Sequence, residues 1–162
     1  MEYINAPWRA QYVKNVFKAK GCIFCDALKI RDDREALILH RGKHNFVILN
    51  KYPYTPGHMM IAPLKHLASP QSATKAAAHE MWDMLTRCLS ALKRQYHPQG
   101  FNTGMNLGQC AGAGIADHYH IHVIPRWPGD SNFMPLIGKV KVTIETLDTT
   151  FAHLHPYFKT ST

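Results

Sequence analysis

The sequence predicts an α+β domain: an antiparallel sheet of about five strands, one long inserted helix, a short N-terminal helix and a C-terminal extension. Three observations lead there. Short aliphatic runs at residues 36–40, 46–50 and 59–63 follow one another as hairpins. A single stretch then repeats its apolar residues at helical spacing. Two more strand-like runs, 101–107 and 118–125, come after it. Strands that neighbour as hairpins around one helix give an antiparallel sheet, not a doubly wound parallel one.

The chain has 162 residues, read as one domain over 1–162 with a core at about 20–128 and an extension at 129–162. No apolar run approaches the roughly 20 residues that span a bilayer, so no membrane association is expected. The first residues, Met-Glu-Tyr-Ile-Asn-Ala-Pro-Trp-Arg, lack a signal peptide's basic start and apolar middle, which reads as cytoplasmic. The net charge of +8, histidines neutral, suits either solubility or attraction of anions such as nucleotides. Its basic residues are scattered, so no dedicated nucleic-acid site is indicated.

Along the chain, Pro7 to Ala19 suits a short helix that opens on proline. Gly21-Cys22-Ile23-Phe24-Cys25 makes a tight knuckle, and Asp26 to Ile30 a further helical turn. Residues 41–45 read as a hairpin loop, and Lys51-Tyr52-Pro53-Tyr54-Thr55-Pro56-Gly57 as a loop by its prolines and glycine. Pro63 stops the third strand. Ser69-Pro70 suits a helix start or a turn just before one. In the helix, Met81, Met84, Leu85, Cys88, Leu89, Leu92 and Tyr96 form one face for a core. His97-Pro98-Gln99-Gly100 ends it. Gly108 to Gly114 is a loop almost without side chains. Arg126 to Gly138 reads as extended, Val140 to Ile144 as an edge strand, and Glu145 to Phe158 as a terminal helix. His40, His44, His79, His97, His153 and His155 read as surface residues.

The informative stretch is His118-Tyr119-His120-Ile121-His122-Val123-Ile124-Pro125. On a strand, residues i, i+2 and i+4 share a face. His118, His120 and His122 therefore point one way, and Tyr119, Ile121 and Val123 point into a core. Three imidazoles on one face suit three readings. A polar outer face is the plainest, but histidine is a poor default for it. A single metal held by all three is disfavoured, because the first and third lie about 13 Å apart along a strand. Chemistry on phosphate suits them best. The middle imidazole, when neutral, is a nucleophile, and a flanking histidine can donate hydrogen bonds to phosphate oxygens or to a leaving oxygen. The Gly-rich loop just upstream offers backbone N–H groups as an anion cradle.

Cys22-x-x-Cys25 is a metal half-site, a redox pair, or two buried small hydrophobes. A disulfide framework is not expected in a cytoplasmic chain.

His-Tyr-His-Ile-His-Val-Ile-Pro resembles the motif of the histidine-triad (HIT) superfamily. The resemblance covers most of the chain. Asn50 and Pro56-Gly57-His58 resemble that family's ribose-binding strand and the turn after it. Asn106-Leu107-Gly108 with Ala111-Gly112-Ala113-Gly114 resembles its phosphate loop. Pro7-Trp8-Arg9 and the stretch from Pro125-Arg126-Trp127 to Pro135 are similar to a branch with diadenosine tetraphosphate phosphorylases and hydrolases.

The resemblance implies roles. His120 would form a nucleotidyl intermediate, His122 would bind phosphate oxygens and assist the leaving group, and His58 would orient the triad. Asn50 would hold ribose, and Asn106 with Gly112, Ala113 and Gly114 the phosphates. Trp127, read on its own, suits stacking on a base or packing at a subunit interface. A structural zinc on Cys22, Cys25, His66 and His118 is implied, as is a homodimer through the long helix and a sheet edge. Many relatives have Gln, Ser or Thr where this chain has Ala113 and Gly114, which shifts work to backbone N–H groups. The implied activity is cleavage of adenosine-containing phosphoanhydrides, diadenosine polyphosphates above all, by water or inorganic phosphate. A nucleoside phosphoramidase and a nucleotide-binding module with little turnover are the alternatives.

Overall fold

The computed structural model describes residues 21–130 and 145–159. The readings made at 7–19, 131–138 and 140–144, Pro7-Trp8-Arg9 included, lie outside them. Among the described residues no helix is long and apolar enough to cross a membrane.

In chain order the elements are helix α1 (Ile23–Lys29), strands β1 (Ile38–Arg41), β2 (Asn45–Leu49) and β3 (Met59–Pro63), helix α2 (Lys75–Tyr96), strands β4 (Gly100–Gly104) and β5 (Ile121–Arg126), and helix α3 (Leu147–Leu154). All four strand pairings are antiparallel, in the order β1-β2-β3-β5-β4. The long helix sits between β3 and β4 in the chain, as expected.

The aliphatic runs of β2 and β3 are continuous because both faces of the sheet are covered. Val47, Leu49, Met59 and Ile61 pack with Met81, Met84, Leu85, Cys88 and Leu92 of α2 and with Phe151 and Leu154 of α3. Phe46, Ile48, Met60 and Ala62 face the other way, with Phe24 and Ala27 of α1. Burying those side chains supplies the main drive to fold, at about 25 cal/mol per Å² of apolar surface.

Several element ends differ from expectation, each for a local reason. The stretch at 21–25 is not a knuckle before a helix. Cys22 is the N-cap residue of α1, so Ile23, Phe24 and Cys25 form its first turn. The first strand starts two residues later than expected. Backbone bonds from Ala36 to the Asp32 carbonyl and from Ile38 to the Asp33 carbonyl hold a turn there, with Leu37 left-handed at φ 59°. Ser69 caps a 3₁₀ turn, Pro70–Ser72, and Thr74 then caps α2. The helix ends at left-handed His97. β4 stops at Gly104, paired with His122, short of the expected Leu107. The terminal helix gives way to a 3₁₀ turn at His155–Phe158, since Pro156 cannot donate into an α-helical ladder.

The last core strand is regular only from Ile121. Before it, the Tyr119 N–H donates to the Leu67 carbonyl at 2.7 Å, outside the ladder. The alternation holds regardless. Tyr119, Ile121 and Val123 are buried in the α2-side core, and the three histidines take the opposite side. Of the histidines read as surface residues, His79, His97 and His153 are exposed, while His40, His44 and His155 are half-buried.

Candidate functional site

Two neighbouring clusters of side chains gather on the α1 side of the sheet. The first holds His58, His120 and His122. β3 and β5 pair Met60 with His122, and His58, two residues before Met60, shares that face. Gly57 makes the turn into His58. It has φ +76°, and a Cβ there would meet Leu92 Cδ2 at 2.8 Å, so a larger residue is both strained and crowded.

Backbone groups dictate the tautomers of this cluster. The Tyr54 N–H donates to His58 Nδ1 at 3.1 Å. His58, if neutral, then carries its proton on Nε2, which lies 2.9 Å from His122 Nδ1 and donates to it. That places His122's own proton on Nε2. His120 is ordered differently: its Nδ1 lies 3.0 Å from the His118 carbonyl and must donate to it. The lone pair of His120 therefore sits on Nε2. The His120 and His122 rings are 4.8 Å apart, edge to face. His120 is 5% exposed. Burial pushes its pKa below the ordinary histidine value, against the hydrogen bond to His118, and so favours the neutral ring.

Asn50 stands beside this cluster. Its Nδ2 is 3.4 Å from both ring nitrogens of His58, too long for a strong bond, and its Oδ1 accepts the Tyr52 N–H at 2.9 Å.

The second cluster is Cys22, Cys25, His66 and His118, whose four ligand atoms all lie within 4.8 Å of one another. Cys22 Sγ is 3.2 Å from His118 Nδ1, Cys25 Sγ is 3.7 Å from the same nitrogen, and His66 Nδ1 is 3.3 Å from Cys25 Sγ. A tetrahedral ion with bonds of about 2.0–2.3 Å separates its nitrogen and sulfur ligands by about 3.5 Å. His118 Nε2 donates to the Pro63 carbonyl at 2.8 Å, which turns the bare Nδ1 toward the sulfurs. These residues can hold a metal. One ion shared by the three triad histidines does not fit, since His118 faces the cysteines while His122 faces His58.

The Gly-rich loop folds on itself. Asn106 Nδ2 donates to the Gly112 carbonyl at 3.3 Å. The Gly112 N–H donates to Gln109 and the Ala113 N–H to Gly108. Those two N–H groups are engaged within the loop, and Ala113 is buried. Trp127 points elsewhere: its indole N–H donates to the Tyr96 carbonyl in the last turn of α2.

Sequence reasoning missed Phe24, whose ring lies 5.0 Å from that of His118 and 4.8 Å from that of His120. Its position between the two cysteines was the available signal. It also missed the backbone groups of Tyr54, Pro63 and His118, which residue types cannot reveal.

The chain matches the HIT domain over residues 31–129, more than half its length, and belongs to the HIT family. It is 40% identical over 118 residues to an AP-4-A phosphorylase of Mycobacterium tuberculosis; the match covers 73% of this chain and 60% of that protein. It is 27% identical over 93 residues to a bis(5'-adenosyl)-triphosphatase of Dictyostelium discoideum, covering 57% of this chain and 62% of that protein. A Zn-bound histidine triad family protein from Mycobacterium smegmatis shares the fold, with a TM-score of 0.67 at 21% identity over 85% of this chain and 93% of that one.

Proposed function

We propose that this protein cleaves the phosphoanhydride of an adenosine-containing nucleotide, diadenosine polyphosphates above all, through a nucleotidyl intermediate on His120. The observation that carries the reading is the opposed tautomer order of the two rings: a lone pair on His120 Nε2 beside a proton on His122 Nε2. The His120 lone pair attacks the α-phosphorus, and the bond to the bridging oxygen breaks. The electron pair leaves with that oxygen, which departs as an anionic phosphate oxygen and accepts a hydrogen bond from the His122 Nε2–H, while His122 keeps its proton. Water, which releases a proton to solvent, or inorganic phosphate then attacks the same phosphorus; the P–N bond breaks and its electron pair returns to Nε2, so His120 leaves as the neutral ring. His58 holds His122 in the hydrogen-bond-donating tautomer. Asn50 would bind ribose, and Asn106 with the Gly112 to Gly114 segment the phosphates, once the Asn106 side chain and the Gly112 and Ala113 N–H groups give up their partners in the loop. The relatives named for AP-4-A phosphorolysis and bis(5'-adenosyl)-triphosphate cleavage support this substrate class.

Zinc is the metal that suits Cys22, Cys25, His66 and His118, and the Zn-bound neighbour supports it. When bound, it cross-links α1 to the segments after β3 and before β5, with no ligand position open for substrate. A homodimer belongs to the same reading. β4 is an outer strand of the sheet, and Trp82 on α2 is 66% exposed.

The test is incubation with diadenosine tetraphosphate, with and without inorganic phosphate, using wild type and His120→Ala. Phosphate-dependent ADP marks phosphorolysis, and AMP plus ATP without phosphate marks hydrolysis. His120→Ala is expected to lose nearly all turnover and keep nucleotide binding. The lack of a polar side chain at Ala113 and Gly114 favours the second reading, a nucleotide-binding module. Binding without turnover in the wild type would establish that instead.

A further inference from the structure

Phe24 lies between the two clusters. Its ring is 0% exposed and packs on both His118 and His120, tilted by 51° and 47°. It belongs to the first turn of α1, flanked by the cysteines of the four-donor cluster. His118 connects the same two places. Its Nδ1 faces Cys22 Sγ, and its carbonyl accepts the His120 Nδ1–H. Two arms therefore hold the His120 ring: a flat aromatic side chain, and the carbonyl that sets its tautomer. Each arm is rooted in a residue that supplies a metal ligand or sits between two of them.

We propose that Phe24 is a positioning residue for His120, and that a divalent metal in the Cys22, Cys25, His66 and His118 cluster holds both arms in place. The inference rests on the reading of His120 as nucleophile. One neutral hydrogen bond is a weak lock on a side chain. A ring turned over about its Cβ–Cγ bond presents carbon where the carbonyl expects Nδ1–H, and Nε2 leaves the attack line. Phe24 fills the space through which His120 would turn. Without the ion, Cys22 and Cys25 no longer tie α1 to His118, and both arms loosen together.

Two readouts test this on the full chain. The first is single-turnover formation of nucleotidyl-His120, with metal content and nucleotide affinity measured alongside. The second is nitrogen NMR of the labelled His120 imidazole, which reports its tautomer without turnover. Phe24→Leu keeps a somewhat smaller apolar side chain in the buried site and removes the flat ring. With zinc loaded, it is expected to slow nucleotidylation about tenfold or more. Affinity should stay within about twofold, a split that marks lost positioning rather than lost binding. Both Phe24→Leu and chelated wild type are expected to lose the uniform Nδ1–H signal.

If wild type forms no adduct on residue 120, the nucleophile reading fails. If wild type forms it and Phe24→Leu matches its rate and tautomer, the positioning role is overturned. If chelated, folded wild type keeps both, the metal's part is overturned. Should Phe24→Leu not fold, Phe24→Met, which also removes the flat ring, takes its place, with the same outcomes deciding the positioning role.

Discussion

At the scale of single residues, the candidate site depends on which nitrogen of each ring carries a proton, and main-chain groups make that choice. The Tyr54 N–H donates to His58, and the His118 carbonyl accepts from His120. His58 passes the choice on to His122 across 2.9 Å. His58→Phe keeps a flat ring in the buried slot but removes the donor to His122 Nδ1, so the third triad histidine loses its fixed tautomer. We expect kcat to fall by roughly tenfold, less than the roughly 10²–10⁴-fold attributed to a general acid or base itself. Nucleotide affinity should be little changed. Steady-state kinetics with calorimetric binding checks this, and an unaltered kcat would show that His122 is oriented by something else. The triad was legible in the sequence because strand alternation sorts side chains by face. The tautomers were not, because every residue type carries the same backbone N–H and C=O.

At the scale of elements, the β1–β2 hairpin is fixed to α2 by one carboxylate. Glu80 accepts the backbone N–H groups of Lys43, His44 and Asn45 at 2.7–2.8 Å, and Asn45 Nδ2 at 2.9 Å. Gly42 permits the approach, since a Cβ there would sit 2.3 Å from Met84 Cε and 2.8 Å from Glu80 Oε1. Burial pushes the Glu80 pKa up, but the hydrogen bonds outweigh it and hold the carboxyl below its ordinary value of 4.5. A carboxyl depressed in the folded state adds stability that is complete above its unfolded value. That contribution is lost as the pH falls through the lower folded value. Glu80→Ala is therefore expected to cost about 1–3 kcal/mol near neutral pH. It should also flatten the loss of stability below pH 4.5, as read by urea denaturation across pH. An unchanged acid limb would mean that other groups set it. The hairpin itself was legible from its two aliphatic runs. The anchor was not, because Glu80 is far from it in sequence and helical periodicity marks only the apolar face of α2. The late start of β1 was hidden for a related reason: Leu37 in a left-handed turn has no sequence signature.

At the scale of the whole molecule, the sheet is a double-sided core with unequal cover. α2 and α3 lie on one face, whereas among the described residues the other is covered chiefly by the short helix α1. Alternation and spacing made the sheet and the long helix legible, and the resemblance pointed to the four residues that the fold brings together as a candidate metal site. What one sequence cannot convey is how distant stretches support one another. α1 has seven residues, well under the roughly 12–15 at which an isolated helix becomes even marginal in water. Its place depends on the apolar contacts of Phe24 and Ala27 and, where a metal is bound, on Cys22 and Cys25. A bound zinc ion adds the binding energy of a site that the unfolded chain does not possess. Chelation should therefore lower the thermal midpoint by several degrees, since about 1 kcal/mol corresponds to roughly 2–4 °C in a chain of this size. Cys22→Ser with Cys25→Ser should reproduce that loss and remove any further response to chelator. Hydrogen exchange should locate the loosening in α1 and around residue 118, while α2 stays protected, because its contacts lie on the opposite face. If pure protein contains no zinc and the double variant melts with the wild type, α1 is held by its apolar contacts alone.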